Sequence, residues 1–132
     1  MATRTIVGTK VQDDETFTLT ATVLQEDGTT PVDLTDSNTD AFISFYRDDT
    51  KAAINSRNNQ QVITAGVASN QHTGSAAGVL SWKSATADSN LGLSADVNVV
   101  ARYTVTYNDG AAVARTAIQE IQFVVEPLDT VV

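Results

Sequence analysis

The sequence predicts an all-β fold, an antiparallel β-sandwich of about seven strands. Short segments alternate between apolar and polar residues with a period of two, and turn-forming Gly, Asn and Asp residues separate these segments. No segment has the 3.6-residue periodicity of an amphipathic helix. Thr and Val, which favour strands, are abundant. A partly open barrel is the second interpretation.

The clearest strand pattern covers residues 16–23. Threonines alternate there with apolar residues, namely Phe17, Leu19, Ala21 and Val23. The pattern ends before Asp27-Gly28, a tight-turn dipeptide, and Pro31 lacks the N–H that a central strand would donate. We therefore expect a half-buried strand followed by a turn.

Further strands are expected at residues 41–47, 62–67, 79–82 and 97–107, with a return strand after a hairpin turn at residues 108–110. In the return strand Ile121, Phe123 and Val125 share one phase, whereas Ile118 takes the other. This change of phase predicts a bulge or break near residues 116–119.

The intervening segments are expected to be loops. Residues 55–61 fit a short strand, a loop or a helical turn, and the sequence leaves these alternatives open. Residues 68–78, rich in Gly, Ser and Asn, predict a surface loop. Residues 83–96 are expected to span the edge of the sandwich or to carry a helical turn.

Three regions follow from this pattern. Residues 1–12 are predicted to be an N-terminal arm and first strand, residues 13–127 the sandwich, and residues 128–132 a C-terminal arm. The arms, residues 1–10 and 126–132, are expected to be free or docked on a neighbour.

Composition excludes several classes of function. The 16 Asp and Glu residues outnumber the 8 Lys and Arg residues, giving a formal net charge of −8, so we expect no binding to nucleic acid or to anionic membranes. With no Cys and one His, disulfides, iron–sulfur clusters and most zinc sites are not expected. Residues 1–10 contain no long apolar run, so neither a signal peptide nor a membrane anchor is predicted.

A calcium site is the nearest candidate for metal binding. Oxygen-bearing side chains alternate in one segment: Asp33, Asp36, Asn38 and Asp40. An EF-hand loop requires Gly where this chain has Ala41, and a bidentate Glu where it has Arg47. We interpret these residues as solvated turn residues, with calcium binding as the alternative, and predict no metal or cofactor site.

No catalytic residue is predicted. The cluster Asp13-Asp14-Glu15 is interpreted as the solvated start of a strand, because adjacent side chains on extended backbone point to opposite faces. His72 is interpreted as a surface residue, since no motif links it to a nucleophile. Residues 74–78 only superficially resemble a nucleophile elbow, because Ser75 is misplaced.

Two polar or aromatic surfaces have alternative interpretations. The aromatic residues on predicted strands are expected to lie in the core rather than form a sugar-stacking platform: Trp82, Tyr46, Tyr103 and Tyr107. The threonines of residues 16–22 are expected to form the solvated side of a sheet, with a partner surface as the alternative.

Residues 14–24, followed by the turn Asp27-Gly28-Thr29-Thr30-Pro31-Val32-Asp33-Leu34-Thr35, resemble the opening of the immunoglobulin-like modules in tailed-phage virion proteins. The N-terminal domain of the upper baseplate protein family is the most similar that we can name. The resemblance continues through residues 41–46, 78–82, 102–110 and 121–126. It implies an immunoglobulin-like antiparallel β-sandwich of about seven strands.

The sequence departs from this family in two places. Ala95-Asp96-Val97 replaces the usual Gly-x-Tyr before the hairpin, and the segment after Trp82 is longer than in the family. Baseplate proteins continue into further domains, whereas this sequence ends at Val132. The resemblance therefore implies a capsid decoration or cement protein, or a neck, tail or baseplate adaptor.

The expected function is that of a non-enzymatic phage virion structural protein. Its partners would be capsid or tail subunits and further copies of itself, and it would be made in the host cytoplasm and reside in the virion. The alternative is a glycan-binding or host-surface adhesion module that uses loop residues such as Asn70, His72, Trp82 and Asn90. An enzyme is the least favoured class.

Overall fold

A computed structural model describes residues 2–127 of the chain, which form nine strands and one three-residue 3₁₀ turn at Thr86–Asp88. The strands are β1 (Ala2–Gln12), β2 (Thr18–Thr22), β3 (Asp40–Arg47), β4 (Gln60–Thr64), β5 (Val67–Ala68), β6 (His72–Gly74), β7 (Val79–Lys83), β8 (Val97–Asn108) and β9 (Ala114–Glu126). The prediction of an all-β protein is confirmed.

The strands form two sheets. One has six strands in the order β1-β9-β8-β3-β4-β5, and the other has three in the order β2-β7-β6. The arrangement of β9-β8-β3-β4-β5 opposite β2-β7-β6 is the strand order of variable-type immunoglobulin domains. The fold is thus an immunoglobulin-like sandwich, with nine strands rather than about seven and with one parallel pair, β1 with β9.

The core lies between the two sheets, where alternate residues of each strand meet. Trp82 of β7 is fully buried and contacts Phe17 and Phe45 edge to face, with ring centroids 5.1 and 5.0 Å apart. Phe17 packs in turn against Phe123 of β9 at 5.0 Å. Aromatic pairs in this geometry stabilise a core beyond the area that they bury. Trp82 therefore belongs to the core, as the sequence predicts.

Residues 2–12 are not a free arm. They form β1, which pairs in parallel with β9 from Ala2 opposite Ile118 to Gln12 opposite Glu126, with a register shift between Ile6 and Lys10. The pairing satisfies backbone N–H and C=O groups along one side of the segment. The arm predicted for residues 1–10 is therefore wrong for residues 2–10, while residues 128–132 lie outside the described part of the chain.

The bulge predicted near residues 116–119 is also absent. β8 and β9 pair without interruption from Val97 opposite Val125 to Asn108 opposite Ala114. Ile118 lies on the face of the sheet that points away from the core, opposite Thr104 of β8. The change of phase in the sequence therefore reflects an apolar residue on the outer face rather than an inserted residue.

The loop segments contain short elements that the sequence did not reveal. Residues 68–78, predicted as a surface loop, include β6, which pairs with β7 through His72 opposite Trp82 and Gly74 opposite Leu80. Residues 55–59 form turns that lead into β4, and residues 83–96 carry the 3₁₀ turn. A three-residue strand is too short to show a period in sequence, which is why β6 was missed.

One glycine is enclosed by backbone. Gly66 has a φ of +79°, and a Cβ added there would lie 2.3 Å from the carbonyl oxygen of Thr35. Gly28 has a similar φ of +76°, but a Cβ added there would meet nothing within 4 Å. Alanine substitutions at these two glycines therefore separate the cost of the left-handed backbone conformation from the cost of a steric clash.

We expect Gly28→Ala to lower the free energy of unfolding by about 1 kcal/mol, the usual cost of a left-handed conformation. Gly66→Ala is expected to lower it by about 3 kcal/mol, because the backbone of residue 35 must also move. Urea unfolding of both variants measures the difference. Equal losses of unfolding free energy in the two variants would show that the backbone around Gly66 adds no steric cost.

Candidate interaction surface

The outward face of the six-stranded sheet is the candidate interaction surface. Side chains of β1, β9, β8 and β3 that point away from the core align there in rows across the strands. Two rows define what we call the outer face: Arg4, Glu120, Arg102 and Ser44, and next to it Ile6, Gln122, Val100 and Tyr46.

A charged row crosses the outer face. Glu120 lies between Arg4, whose Nη2 is 3.1 Å from Oε1, and Arg102, whose Nη1 is 4.0 Å from Oε2. The Glu120 side chain is 11% exposed, whereas the two arginines are 46% and 45% exposed. Arg4 also donates to Oε1 of Gln122 at 3.1 Å. Two guanidinium groups thus share one carboxylate, leaving a local excess of positive charge on an acidic protein.

An apolar row lies beside the charged one. Ile6 of β1 is 71% exposed, the largest exposure among the described large hydrophobic residues. Val100 is completely buried although its side chain points outward, away from the core cluster. Its neighbours in register are Gln122 and Tyr46. The outer face therefore presents Ile6 at its border, next to the excess positive charge.

The border of the outer face is the free edge of β1. β1 is the last strand of the six-stranded sheet, so one side of its backbone has no neighbouring strand within residues 2–127. Residues 2–6 precede the register shift and contain no Pro. Such an edge can pair with a strand of another chain. Other edge strands differ from β1. The strand at the opposite edge of the same sheet, β5, has only two residues. The edge strand β2 of the three-stranded sheet exposes only threonines, Thr18, Thr20 and Thr22.

Three of the four candidate calcium ligands, Asp33, Asp36 and Asp40, accept hydrogen bonds from neighbouring backbone. Oδ1 of Asp33 accepts hydrogen bonds from the backbone N–H and the hydroxyl of Thr35, and the hydroxyl bond holds the pKa of Asp33 below its usual value. Asp36 accepts from the N–H of Asn38, and Asp40 from that of Ala65. No three His, Cys, Asp or Glu side chains within residues 2–127 are placed to hold a metal ion together.

Asp13 is buried, contrary to the expectation of a solvated strand start, whereas Asp14 and Glu15 are exposed. Its carboxylate accepts backbone N–H bonds from Leu91 at 2.7 Å and Leu93 at 2.9 Å. Burial disfavours ionisation of Asp13, but these N–H groups outweigh it and hold its pKa below the usual value. Asp13 therefore fixes the loop before β8 and does not form an acid–base pair.

His72 is also buried, at 5% exposure, so its interpretation as a surface residue is wrong. Its position opposite Trp82 in the β6–β7 pair places the imidazole flat against the indole, 5.4 Å between centroids. Nδ1 donates to the Asn70 carbonyl at 2.7 Å, so Nε2 accepts from the Tyr103 hydroxyl at 2.8 Å. Burial lowers the pKa of His72 to about 4 and raises that of Tyr103.

A buried ion pair lies against the ring of Trp82. Arg57, 2% exposed, forms a bidentate contact with Asp88, whose exposure is 0%. The guanidinium stacks over the Trp82 ring at 5.1 Å and donates to Oε1 of Gln60 and of Gln71. Sequence reasoning missed this pair, since two polar residues in predicted loops carry no signal of their pairing. The pair joins the turn before β4 to the 3₁₀ turn.

Residues 74–78 form the connection from β6 to β7. The hydroxyl oxygen of Ser75 accepts the N–H of Val79 at 3.1 Å. Ser75 therefore orders a turn between two strands, which differs from the strand–turn–helix setting of a nucleophile elbow.

A cleft of about 400 Å³ lies at one end of the sandwich, between the turn after β2 and the β8–β9 hairpin. Arg115 spans it, with Nε 3.0 Å from Asp109 and Nη1 3.5 Å from Glu26. The Tyr107 hydroxyl accepts the backbone N–H of Glu26 at 2.9 Å. Asp27 beside it binds Thr30, which holds its pKa at about 2. The charged groups of the cleft thus bind one another and order the two loops.

None of the known protein families, curated proteins or solved structures matches this chain significantly. Within residues 2–127 no helix is long and apolar enough to cross a membrane.

We expect Asp88→Ala to lower the free energy of unfolding by about 3–5 kcal/mol, because the guanidinium of Arg57 would remain buried without its counter-charge. Asp36→Ala is the control, since it removes an exposed turn carboxylate and is expected to cost about 1 kcal/mol or less. Urea unfolding of both variants measures these losses. Similar losses would contradict a special role for the buried pair.

Because burial lowers the pKa of His72, we expect the stability of the protein to depend on pH. Its folded pKa, about 4, lies below the unfolded value of 6.5, so the unfolded chain binds a proton first as the pH falls. Stability should be complete above pH 6.5 and should fall by about 3 kcal/mol between pH 6.5 and 4. His72→Gln should lack this loss from pH 6.5 to 5, where carboxylates contribute little. Parallel urea midpoints for both proteins over this range would contradict the prediction.

Proposed function

We propose that this protein is a non-enzymatic structural module that binds other protein subunits through the free edge of β1 and the adjoining outer face. The observation that carries the proposal is a five-residue strand edge, residues 2–6, that has no neighbouring strand within residues 2–127, combined with exposed Ile6 at the border of the sheet. Main-chain hydrogen bonds along such an edge supply affinity, and the flanking side chains supply specificity.

The more specific proposal is a phage virion structural protein, a capsid decoration or cement protein or a neck, tail or baseplate component. The resemblance of residues 26–35 to virion immunoglobulin-like modules supports it. In the fold these residues are structural: Asp27 accepts the N–H groups of Thr29 and Thr30, Pro31 bridges to Leu24, and Leu34 lies in the core. The resemblance therefore supports a shared fold and, through it, a shared role.

The distribution of charge is consistent with protein partners. With a net charge of −8, the chain repels nucleic acid, which suits a position outside a DNA-filled shell. On the outer face two of the exposed cations, Arg4 and Arg102, flank the single carboxylate of Glu120. A binding partner would therefore be a protein surface, with further copies of this chain among the candidates.

The alternative, a glycan-binding module, would need an exposed aromatic side chain on which a sugar ring could stack. Trp82 is fully buried and His72 nearly so, and both are held by contacts within the core. Of the loop residues considered for this role, Asn70 and Asn90 remain exposed. Two separated amides without an aromatic surface do not favour sugar binding over any other polar contact.

Locating the protein in purified particles tests the proposal. Mass spectrometry of the particles and image reconstruction should place it on the outside, with β1 against another subunit. Ile6→Lys should lower its occupancy on particles about tenfold, because a charge would replace an apolar contact at the interface. Val67→Lys is the matched control, since Val67 is 69% exposed on the short edge strand β5.

A protein that is absent from particles and binds no particle subunit in purified form would overturn the proposal. Equal losses of occupancy for Ile6→Lys and Val67→Lys would show that the edge of β1 is not the contact.

A further inference from the structure

β1 consists of two halves joined by an irregular segment. Residues 2–6, the first half, pair with β9 in one register, and residues 10–12, the second half, pair with it in another. Four residue steps on β1, from Ile6 to Lys10, cover only two steps on β9. Residues 7–9, which we call the linker, therefore contain two residues more than regular pairing requires.

The linker is long enough to carry the first half sideways. Four residue steps span at most about 14 Å, whereas the two β9 steps that they cover are about 7 Å long. A fully extended linker that still advances 7 Å could therefore move sideways by about 12 Å, more than twice the strand spacing of about 4.8 Å. A Cβ added to Gly8 in the linker would meet nothing within 4 Å, so its surroundings leave room for a change of path.

The first half contributes little to the core of its own copy. Arg4, Thr5 and Ile6 are all exposed, and none of them belongs to the core cluster. Their side-chain contacts with β9 are polar: Arg4 lies 3.1 Å from Glu120, and the Thr5 hydroxyl accepts from Gln119 at 3.2 Å. Backbone pairing and polar contacts therefore hold the first half in place.

The second half, in contrast, is fixed to its own copy. Val11 is buried in the core cluster. Asp13, which follows β1, donates its backbone N–H to the carbonyl of Glu126 at 2.7 Å, and its carboxylate accepts the N–H groups of Leu91 and Leu93. A separation of the two halves would therefore take place at the linker rather than after residue 12.

β9 needs a strand beside it at the level of the first half. Gln119, Glu120 and Ile121 are at most 9% exposed in the fold. Without the first half, the backbone groups of residues 118–122 that face β1 would lose their partners. The first half of a second copy has the same sequence, so it would restore the same backbone pairing and the contact of Arg4 with Glu120.

We propose that two copies of this chain exchange residues 2–6, so that the first half of each pairs with β9 of the other. Residues 10–12 stay paired with β9 of their own copy, and the linkers cross between the copies. Reciprocal exchange builds a two-fold dimer. The inference goes beyond the proposed function, because the partner is a second copy of the chain and the exchange requires no particle.

Engineered disulfides test the exchange, because the chain has no cysteine of its own. Ile6 and Gln122 lie opposite each other in register. The double variant Ile6→Cys/Gln122→Cys therefore forms its disulfide within one chain before exchange and between two chains after it. When the protein is equilibrated and then oxidised, the interchain fraction on non-reducing gels should rise about tenfold or more between about 10 μM and about 1 mM, by mass action.

The matched control is Lys10→Cys/Val124→Cys. These two residues also lie opposite each other, but they belong to the part of the β1–β9 pair that follows the linker. The control disulfide should form within one chain at both concentrations.

Deletion of residues 8 and 9 in the Ile6→Cys/Gln122→Cys chain tests the linker. The shortened strand would place Val7 opposite Phe123 in a continuous register, with no spare length for a sideways step. The interchain fraction at about 1 mM should then fall about tenfold or more. Thermal unfolding shows whether each variant is folded, so that a loss of exchange is not mistaken for a loss of structure.

Three outcomes would overturn the inference: an interchain fraction that does not rise with concentration, an equal interchain fraction in the control pair, or a deletion without effect. The experiment uses the purified chain without particles. Its failure therefore overturns the exchange alone, while the occupancy of particles decides the proposed function.

Discussion

The packing around Trp82 is the interaction on which the rest of the structure depends. The indole lies between the two sheets, with Phe17 and Phe45 at its edges, His72 stacked on it and the guanidinium of Arg57 stacked over it. Its Nε1 has no hydrogen-bond partner within residues 2–127. A buried donor without a partner costs about 1–3 kcal/mol, which the packing of the indole has to offset. The neighbouring polar groups, in contrast, are all bonded, which explains why His72 and Asp88 tolerate burial.

Alternation of apolar and polar residues predicted β2 and β8, because each buries one face, and an apolar and aromatic run predicted β3. A first strand was predicted within residues 1–12, but its start at residue 2 was missed. Residues 2–6 lie at the edge of the sheet, where Ile6 points outward and Arg4 is half exposed, so no clean alternation develops. The prediction of a bulge in β9 was wrong for a related reason, because Ile118 is apolar but faces away from the core. Periodicity reports burial on one face, and it weakens wherever both faces carry apolar residues.

The candidate sites were less predictable than the strands, because their environment arises from contacts between distant residues. Arg57 and Asp88 are 31 residues apart and lie in segments whose composition suggests only loops. His72 lies among Asn and Gln in the sequence, yet its pairing with β7 places it in the core. The aspartates that suggested calcium ligands bind backbone N–H groups instead: Asp33 and Asp36 within their own turn, and Asp40 at residue 65. Residue type alone identified side chains that are able to bind a ligand. It did not show which groups of the same chain these side chains contact instead.

The parallel pair of β1 and β9 also has a consequence for how the chain folds. It joins the first strand to the last, with more than a hundred residues of chain between the partners. Contacts so distant in sequence carry a large loop-closure cost and slow folding. During synthesis β1 therefore has to wait for the final strand, and until then β8 has only β3 beside it. The order of events is set by topology: the six-stranded sheet is completed last, when β9 inserts between β8 and β1.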